Sequence, residues 1–248
     1  GKNNINLLVP QGQFGTRLKG GDDAASPRYI FTNLAKVTDK IFMREDQHVL
    51  TYRTDEGQSI EPHAFAPIIP MVLVNGANGI ATGWSTQLPM YNPLQIIRFL
   101  ENHLNNHEMK VVLEPWYKGF TGTIQEVGSD FVTKGVWEFG DNYKVRITEL
   151  PVGTWTEPYI EKILSVGSLA TLSKKKKGTH KLVVKHMDNS SDVKVDIVFT
   201  LVPSMYKKYV NDEAAFVKDF YLSSSISMNN IHLLDSNQKI KKYANVED

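Results

Sequence analysis

The sequence predicts an α+β protein in two parts, a small and mostly helical part at residues 1–58 and a larger mixed part at residues 59–248. Two hydrophobic patterns lead to this prediction. In some segments apolar residues recur every three to four positions, as on one face of a helix, and in others they alternate with polar residues, as in a strand. The composition changes near residue 61, where proline and then glycine become frequent, so the boundary is placed at residues 58/59.

The first part is predicted to contain one strand and one helix. Residues 5–9 have the composition of a strand, and residues 10–25 form a polar, glycine-rich loop. Ser26 fits the N-cap of a helix and Pro27 fits its first position. The helix is predicted to continue because apolar residues follow at helical spacing: Phe31, Leu34, Val37 and Ile41.

The larger part is predicted to mix strands with helices. An apolar strand is predicted at 71–74, beside the glycine-rich turn "VNGANGIATG" at 74–83. Alternating apolar residues predict four further strands: 121–127, 131–138, 143–150 and 193–201. Cap residues followed by apolar repeats predict the starts of three helices: Asn92-Pro93, Thr156 and Asn211. The apolar face of the first helix is predicted to consist of Leu94, Ile97, Leu100 and Leu104.

The composition excludes several classes of protein. With 41% apolar and 22% charged residues, the chain is typical of folded globular proteins. The absence of cysteine excludes disulfides, thiolate metal sites and cysteine nucleophiles. No long apolar run predicts a transmembrane helix, and no secretory signal is visible. The first residues lack a starting methionine and run directly into a strand-like segment, which we interpret as the sign of a piece of a longer protein.

The charge of the chain is nearly balanced. It contains 28 basic and 27 acidic residues, which gives a net charge of +1. A free-standing DNA-binding domain is usually more basic than this. If the chain binds DNA, part of the positive field that holds the duplex must therefore come from elsewhere.

Two polar patterns have an ordinary interpretation that we prefer. His103 and His107 lie one turn apart on a predicted helix, a spacing that holds zinc only if a further ligand such as Glu108 is recruited. A solvated polar face of the helix explains them more simply. The lysines at 174–177 are interpreted as a solvated loop, with a role as a basic contact as the minor alternative.

The glycine-rich segment at 74–83 carries the first candidate for a functional residue. It lacks the Gly-Lys-Ser/Thr ending of a phosphate-binding loop and the spacing of a dinucleotide-binding fingerprint, so a tight turn between strands is the simplest interpretation. Ile80 fits this interpretation poorly, because a branched apolar side chain at the tip of such a turn is badly placed for a core. Apolar side chains can instead enter between base steps and kink a duplex.

Tyr29 is the second candidate. An isolated tyrosine is most often a half-buried aromatic. If Ser26 caps a helix, however, Tyr29 lies in its first turn, where unpaired N–H groups favour an anion such as a phosphate or a phenolate. Arg28 adds a permanent guanidinium suited to bidentate phosphate contact. Because a free phenol has a pKa of about 10 and is a weak nucleophile at neutral pH, these are the surroundings it needs to attack a phosphodiester.

Several segments resemble one known family. "GQFGTRLKGGDDAASPRYIFT" and "PIIPMVLVNGANGIATGWS" are similar to the breakage–reunion core of eukaryotic-type type IIA DNA topoisomerases. "ITELPVGTWT" and "KIKKYANV" resemble family segments in the same order. The resemblance implies that residues 1–58 are the C-terminal part of a winged-helix domain and that residues 59–248 form a tower-like mixed α/β domain.

The resemblance also implies roles for individual residues. Tyr29 matches the tyrosine that attacks DNA and forms a 5′-phosphotyrosyl link, and Arg28 matches the neighbouring arginine that stabilises the transition state. Ile80 matches the isoleucine that intercalates and bends the cleaved segment. Further DNA contacts are expected from five residues: Gln13, Arg17, Asn75, Gly79 and Thr82.

Partners and cofactors follow from the same resemblance. It implies double-stranded DNA as the substrate, a two-fold symmetric homodimer, no membrane, and Mg²⁺ and ATP as cofactors of the full-length enzyme. The family's metal-binding carboxylate cluster and ATPase module are missing from this sequence, so the fragment alone is expected to bind neither cofactor and to cleave nothing. The expected location is the nucleus, or a cytoplasmic viral factory if the protein is viral.

The sequence departs from the family pattern at five positions. Lys is common at Asp22, Glu at Asn78, Gly at Ala81, and a Trp and a Tyr near Ala64 and Phe65. These departures suggest a divergent member, from a protist or a large DNA virus. The alternative function left open is a non-catalytic DNA-bending or scaffold module in which Tyr29 only packs.

Overall fold

The computed structural model describes residues 3–106, 112–168 and 182–247 of the chain. His107, Glu108 and the lysines at 174–177, whose patterns are interpreted above, lie outside these residues. Among the described residues no helix is long and apolar enough to cross a membrane.

The chain divides into two compact units. Gln13–Ser26 and Tyr117–Asn229 form one, which we call the sheet unit. Asn3–Gly12, Pro27–Trp116 and Asn230–Asp248 form the other, which we call the hairpin unit. The predicted boundary at residues 58/59 falls inside the hairpin unit, and the division into family domains stays a prediction.

The described residues contain short helices and many short strands. The α-helices are α1 (Thr38–Ile41), α2 (Met71–Asn75), α3 (Pro93–Leu104), α4 (Thr156–Ser168), α5 (Pro203–Asn211) and α6 (Glu213–Asp219). The strands are β1 (Tyr52–Asp55), β2 (Gln58–Pro62), β3 (Ala77–Ala81), β4 (Trp84–Leu88), β5 (Thr123–Val127), β6 (Asp130–Lys134), β7 (Val136–Phe139), β8 (Lys144–Glu149), β9 (Val183–Asp188), β10 (Ile197–Leu201), β11 (Ser223–Ile226), β12 (Ile231–Leu234) and β13 (Ile240–Tyr243). Pro27–Tyr29 and Arg44–His48 form 3₁₀ turns.

The sheet unit contains a four-stranded antiparallel sheet with the order β7-β8-β10-β9 and a three-stranded sheet with the order β11-β6-β5. One face of the larger sheet is apolar because buried and exposed residues alternate along its strands; in β8, Val145 and Ile147 are buried. The core also includes buried residues of α4 and α6: Tyr159, Ile160, Ile163 and Phe216. The predicted mixed α/β class is confirmed, as are the helix at Thr156 and the strand at 143–150.

Three predicted elements of the sheet unit are corrected. The predicted strand at 131–138 is divided between the two sheets at Gly135, where a Cβ would lie 2.3 Å from the carbonyl oxygen of Glu149. The predicted strand at 193–201 is confined to β10. Asn211 is not a cap but the last residue of α5, and Asp212 caps α6 by accepting a hydrogen bond from the N–H of Ala215 at 3.0 Å.

The hairpin unit contains three two-stranded antiparallel ribbons, β1-β2, β3-β4 and β12-β13. The predicted start of α3 is confirmed, since the Asn92 side chain accepts a hydrogen bond from the N–H of Leu94 at 2.9 Å. The predicted apolar face of α3 is wrong, because Leu94, Ile97 and Leu104 are exposed and Ile96 is buried instead. The predicted strand at 71–74 is helix α2. An apolar run this short is compatible with either structure.

The helix predicted from Pro27 to Ile41 is wrong, and so is the strand predicted at 5–9. Only the 3₁₀ turn and α1 are helical in this segment. Between them the backbone is extended and antiparallel to residues 7–11, with a bond from the N–H of Val9 to the carbonyl of Asn33 at 2.8 Å. This pairing is limited to isolated bridges, such as Leu8 with Leu34. Backbone pairing with a distant segment therefore overrides the helical spacing.

One buried side chain ties the start of the hairpin unit to its later segments. The Asn4 amide nitrogen donates to the carbonyls of Val74 at 3.0 Å, Tyr91 at 3.2 Å and Trp116 at 3.0 Å. Val74 lies near the end of α2, and Tyr91 lies just before α3. Trp116 is the last residue of the stretch Pro27–Trp116 of the hairpin unit. Because buried carbonyls need a hydrogen-bond donor, Asn4 joins three segments that are far apart in the sequence.

Candidate nucleic-acid interface

Tyr29 is the last residue of the 3₁₀ turn Pro27–Tyr29 in the hairpin unit. Its phenol lies outside the protein core. Its side chain is 70% exposed. The guanidinium carbon of Arg28 lies 5.4 Å from the centre of the Tyr29 ring. The phenol is thus open to a large ligand and has a permanent positive charge beside it.

The expected helix N-terminus at Tyr29 is not present. Ser26 precedes a turn of 3 residues, in which the N–H of Ile30 donates to the carbonyl of Pro27 at 3.4 Å. A turn this short lacks the aligned peptide dipoles that give a helix N-terminus its positive potential. Of the two sources of positive charge proposed from the sequence, Arg28 is therefore the one in the structure.

The chain beyond Tyr29 is fixed by the segment that pairs with it. The hydroxyl of Thr32 donates to the carbonyl of Val9 at 2.7 Å. Gly12 has a φ of +94°, and a Cβ at this position would lie 3.2 Å from Ile30 Cγ2. A side chain at residue 12 would be strained by its backbone and crowded by Ile30, so glycine favours this approach of the two segments.

Ile80 lies near the tip of the hairpin formed by β3 and β4. Ile80 is opposite Ser85, and Ala81 is opposite Trp84, so Thr82 and Gly83 form the connecting turn. Gly83 has a φ of +85°, a left-handed backbone conformation that glycine adopts without steric cost. Ile80 is 93% exposed, the largest value among the exposed large apolar side chains of the described residues. The turn predicted at 74–83 is therefore corrected, because residues 77–81 form strand β3 and only Thr82 and Gly83 make the turn, while the Ile80 side chain is exposed as expected.

The residues expected to contact DNA near Ile80 differ in what they offer. Thr82 is exposed, and a Cβ at Gly79 would meet no atom within 4 Å, so both are open to a ligand. The amide of Asn75 is already paired with the backbone of Ile5. It accepts from the Ile5 N–H and donates to the Ile5 carbonyl, both at 3.0 Å.

Gln13 and Arg17 belong to the sheet unit rather than the hairpin unit. The Gln13 amide donates to the Asp23 carboxylate at 3.1 Å. The same carboxylate accepts from the Thr16 hydroxyl at 2.7 Å and the Thr16 N–H at 2.9 Å. The two bonds from Thr16 hold the pKa of Asp23 below its ordinary value, and the bond from the Thr16 hydroxyl contributes most. The Asp23 carboxylate thus holds the end of this loop to Gln13 and Thr16, which lie near its start.

Arg17 anchors that loop to the sheet by an ion pair with Glu149. The Glu149 side chain is 6% exposed and that of Arg17 is 24% exposed. Glu149 also accepts hydrogen bonds from the N–H groups of Leu150 at 2.9 Å and Thr121 at 3.2 Å. The carboxylate is therefore paired and hydrogen-bonded, as a buried charge must be.

Replacing Glu149 by alanine is expected to lower the free energy of unfolding of the chain by about 3 kcal/mol, because the change leaves the Arg17 guanidinium and two N–H groups without their acceptor. Urea unfolding measures the difference. Glu126→Ala, which removes an exposed carboxylate from β5, is the control and should stay within about 0.5 kcal/mol of the parent chain. Equal stabilities for the two variants would contradict an anchoring role for the ion pair.

Sequence reasoning missed both carboxylates, although one left a signal. Glu149 occupies an inward position of the alternating strand 143–150, where an apolar residue is expected. A charged residue at such a position indicates a buried ion pair. Asp23 lies in a polar loop, and nothing in its local pattern distinguishes it from Asp22.

The described residues do not form a metal centre. No three histidine, aspartate or glutamate side chains come close enough together among them to hold an ion. His103, considered as a zinc ligand from the sequence, belongs to no such group within the described part of the chain.

The structure thus has an exposed tyrosine beside an arginine and, separately, an exposed apolar side chain near a hairpin tip, and the comparison with known proteins names the class of protein to which the chain belongs. The profile of the DNA gyrase/topoisomerase IV A-subunit family matches residues 1–248, and the chain belongs to this family. Among its relatives are the proteins named DNA topoisomerase 2 of Drosophila melanogaster, 40% identical over 249 residues, and Saccharomyces cerevisiae, 41% identical over 252 residues. In both cases 100% of this chain is aligned with 17% of the relative.

A solved structure supports the same assignment. The crystal structure of the Plasmodium falciparum topoisomerase II DNA-binding, cleavage and re-ligation domain matches with a TM-score of 0.87 and 38% sequence identity. The match covers 98% of this chain and 32% of that one. The chain therefore corresponds to part of a topoisomerase II cleavage region, and the eukaryotic-type resemblance found in the sequence is confirmed.

Proposed function

We propose that this chain is the part of an ATP-dependent type II DNA topoisomerase that carries the nucleophile for transient double-strand breaks, which serve to relax or decatenate DNA. One observation carries the proposal. The phenol of Tyr29 is exposed beside the Arg28 guanidinium, in a chain that matches the topoisomerase family over its whole length. A tyrosine that only packed, as in a DNA-bending scaffold, would not need this exposure.

The reaction proposed for Tyr29 is a transesterification. Its phenolic oxygen attacks a backbone phosphorus, the bond from phosphorus to the 3′ oxygen breaks, and a 5′-phosphotyrosyl ester forms. The phenol proton passes to solvent, and the departing 3′ oxygen takes up a proton to become a hydroxyl. Arg28 stabilises the negative charge that accumulates on the phosphate oxygens. The 3′ hydroxyl then attacks in the reverse direction and reseals the strand. The phosphotyrosyl ester thus conserves the energy of the broken phosphodiester bond.

Ile80 is proposed to act on the same DNA as a wedge. Entry of its side chain between base pairs costs a few kcal/mol of unstacking, which additional backbone contacts of the bent duplex offset. Gly79 and Thr82 flank it on the open tip and are proposed DNA contacts. Gln13, Arg17 and Asn75 are also proposed at the interface, although their side chains already hold protein groups.

The remaining features of the enzyme are proposed from the family. Residues 1–58 are assigned to the end of a winged-helix domain and residues 59–248 to a tower-like domain. The enzyme would act as a homodimer, one tyrosine for each strand, in the nucleus or, for a viral protein, in a cytoplasmic viral factory. Mg²⁺ and ATP would be bound by parts of the enzyme that this chain does not contain.

The covalent intermediate tests the proposal directly. In the full-length enzyme, denaturing the cleavage reaction should leave DNA attached to the protein, and mass spectrometry of the digested adduct should place the nucleotide on the peptide that contains Tyr29. The 248-residue chain alone, incubated with DNA and Mg²⁺, should give no adduct, because the family's metal-binding carboxylate cluster is missing from this sequence. Attachment at another residue would overturn the role of Tyr29, and an adduct on the isolated chain would overturn its predicted inactivity.

A further inference from the structure

The hairpin that carries Ile80 is held along its second strand by residues from much later in the chain. The Asn230 amide nitrogen donates to the Ser85 hydroxyl at 2.9 Å, across 145 residues of sequence. The N–H of Gln87 donates to the Asn230 carbonyl at 2.8 Å, and the N–H of His232 donates to the Thr86 hydroxyl at 3.3 Å. All five residues belong to the hairpin unit.

These bonds take the place of a regular ladder of backbone hydrogen bonds between β12 and β4. β12 lies beside β4, but the two strands belong to separate two-stranded ribbons. The side chains of consecutive strand residues project to opposite faces, so the bonds to Ser85 and Thr86 hold β4 on both of its faces. A two-stranded hairpin is only marginally stable in water by itself. The bonds from the β12 side therefore add the support of a third strand to the β3–β4 hairpin.

The Asn230 side chain is itself fixed in orientation. Its amide oxygen lies 3.0 Å from Nδ1 of His232. An amide oxygen can only accept, so the pair is a hydrogen bond when Nδ1 carries the proton. One end of the amide is therefore held by the imidazole while the other end donates to Ser85, and the amide cannot rotate without losing both bonds.

Ser85 connects this arrangement to Ile80. In the register of the hairpin Ser85 is the residue directly opposite Ile80. Directly opposite residues of an antiparallel pair are neighbours on the same face. A side chain that is 93% exposed has almost no protein contact to keep it in place, so its position depends on the backbone on which it stands.

We propose that Asn230, oriented by His232, is a positioning residue for the Ile80 wedge and acts through Ser85. The inference rests on the proposed role of Ile80 and extends it to residues that do not touch DNA. A braced hairpin can transmit the force needed to separate two base pairs, whereas a loose hairpin yields. Loss of the brace should therefore lower the fraction of bound DNA that is bent, with little effect on how tightly DNA is held.

The test compares three alanine variants of the full-length enzyme, at Asn230, Ser85 and Asn229. Bending of a duplex labelled at both ends is followed by energy transfer, and affinity by anisotropy at the same salt concentration. Asn230→Ala and Ser85→Ala remove the same hydrogen bond from its two sides, and each should lower the equilibrium constant for bending about 10-fold. Asn229→Ala changes a neighbouring exposed side chain of the same type and should bend DNA like the parent. Affinity should change less than about threefold in all three, since no phosphate contact is lost.

Two further measurements separate a positioning role from general loss of structure. Hydrogen exchange of the β3 and β4 amides should be about 10-fold faster in Asn230→Ala, with unchanged exchange in β8 and β10. In an Ile80→Ala background Asn230→Ala should cause no further loss of bending, because it acts through the wedge. Bending of Asn230→Ala equal to that of Asn229→Ala, or effects of Asn230→Ala and Ile80→Ala that add, would overturn the inference. If Ile80→Ala alone leaves bending unchanged, the wedge itself is wrong, which is a distinguishable result.

Discussion

Replacing Tyr29 by phenylalanine in the full-length enzyme should abolish DNA cleavage and leave DNA binding nearly intact. The substitution removes one oxygen from a side chain that is 70% exposed, so no packing is lost. It removes the oxygen atom of Tyr29 that is proposed to form the ester, and loss of a nucleophile typically lowers a rate by at least about 10⁴-fold. Supercoil relaxation and covalent adduct formation measure the loss, and anisotropy with a labelled duplex measures binding.

The control for this variant is another phenol of the hairpin unit. Tyr52 donates a hydrogen bond from its hydroxyl to the carbonyl of Gln47 at 3.2 Å, and Tyr52→Phe removes an oxygen in the same way. This variant should relax DNA at the parent rate. Relaxation by Tyr29→Phe at that rate would instead favour the non-catalytic scaffold, in which Tyr29 has no chemical role.

The second large effect is expected from Ile80→Ala in the same enzyme. Truncation removes most of an exposed side chain that contributes nothing to the core, so the fold should not change. If contact of the Ile80 side chain with the separated base pairs stabilises the bent duplex by about 2 kcal/mol, its loss lowers the equilibrium constant for bending, and with it the cleavage rate, about 30-fold. Energy transfer across a doubly labelled duplex follows the bend, and strand cleavage is followed on the same substrate.

Affinity distinguishes a wedge from an ordinary contact. Phosphate contacts supply most of the binding energy, so the affinity of Ile80→Ala for DNA should fall less than about threefold. Val49→Ala is the matched control, since Val49 is a branched apolar residue of the hairpin unit that is 81% exposed. Equal bending by the two variants would count against intercalation by Ile80.

Sequence patterns predict this fold best where a sheet buries one face. The alternation of Val145 and Ile147 with charged residues predicts β8 correctly, because the period of a strand leaves the same residues on the core side throughout. The pattern from Phe31 to Ile41 fails for a physical reason. Phe31 and Leu34 are exposed, so their helical spacing does not reflect a buried face, and pairing with residues 7–11 determines the backbone instead.

The candidate site was predictable where local chemistry is unusual. Tyr29 beside Arg28 and Ile80 in a glycine-rich turn both conflict with an ordinary structural role, and the structure leaves both side chains exposed. The supports of the site were not predictable in this way. Asn4 and Asn230 act on segments far away in the chain, and no short pattern in a single sequence reveals which distant backbone or hydroxyl an asparagine will bind.

The bonds of Asn4 also constrain the order in which the protein folds during synthesis. Its partners lie 70, 87 and 112 residues further along the chain. The hydrogen bonds of Asn4 therefore cannot form until these later segments have been translated. β12, which supports the β3–β4 hairpin, is translated later still. The strands of the larger sheet all lie within one continuous stretch of the sequence, Tyr117–Asn229. Because residues 117–229 are translated after Trp116 and before β12, the bonds of Asn4 can form before the sheet, whereas the support of the β3–β4 hairpin by Asn230 can form only after it.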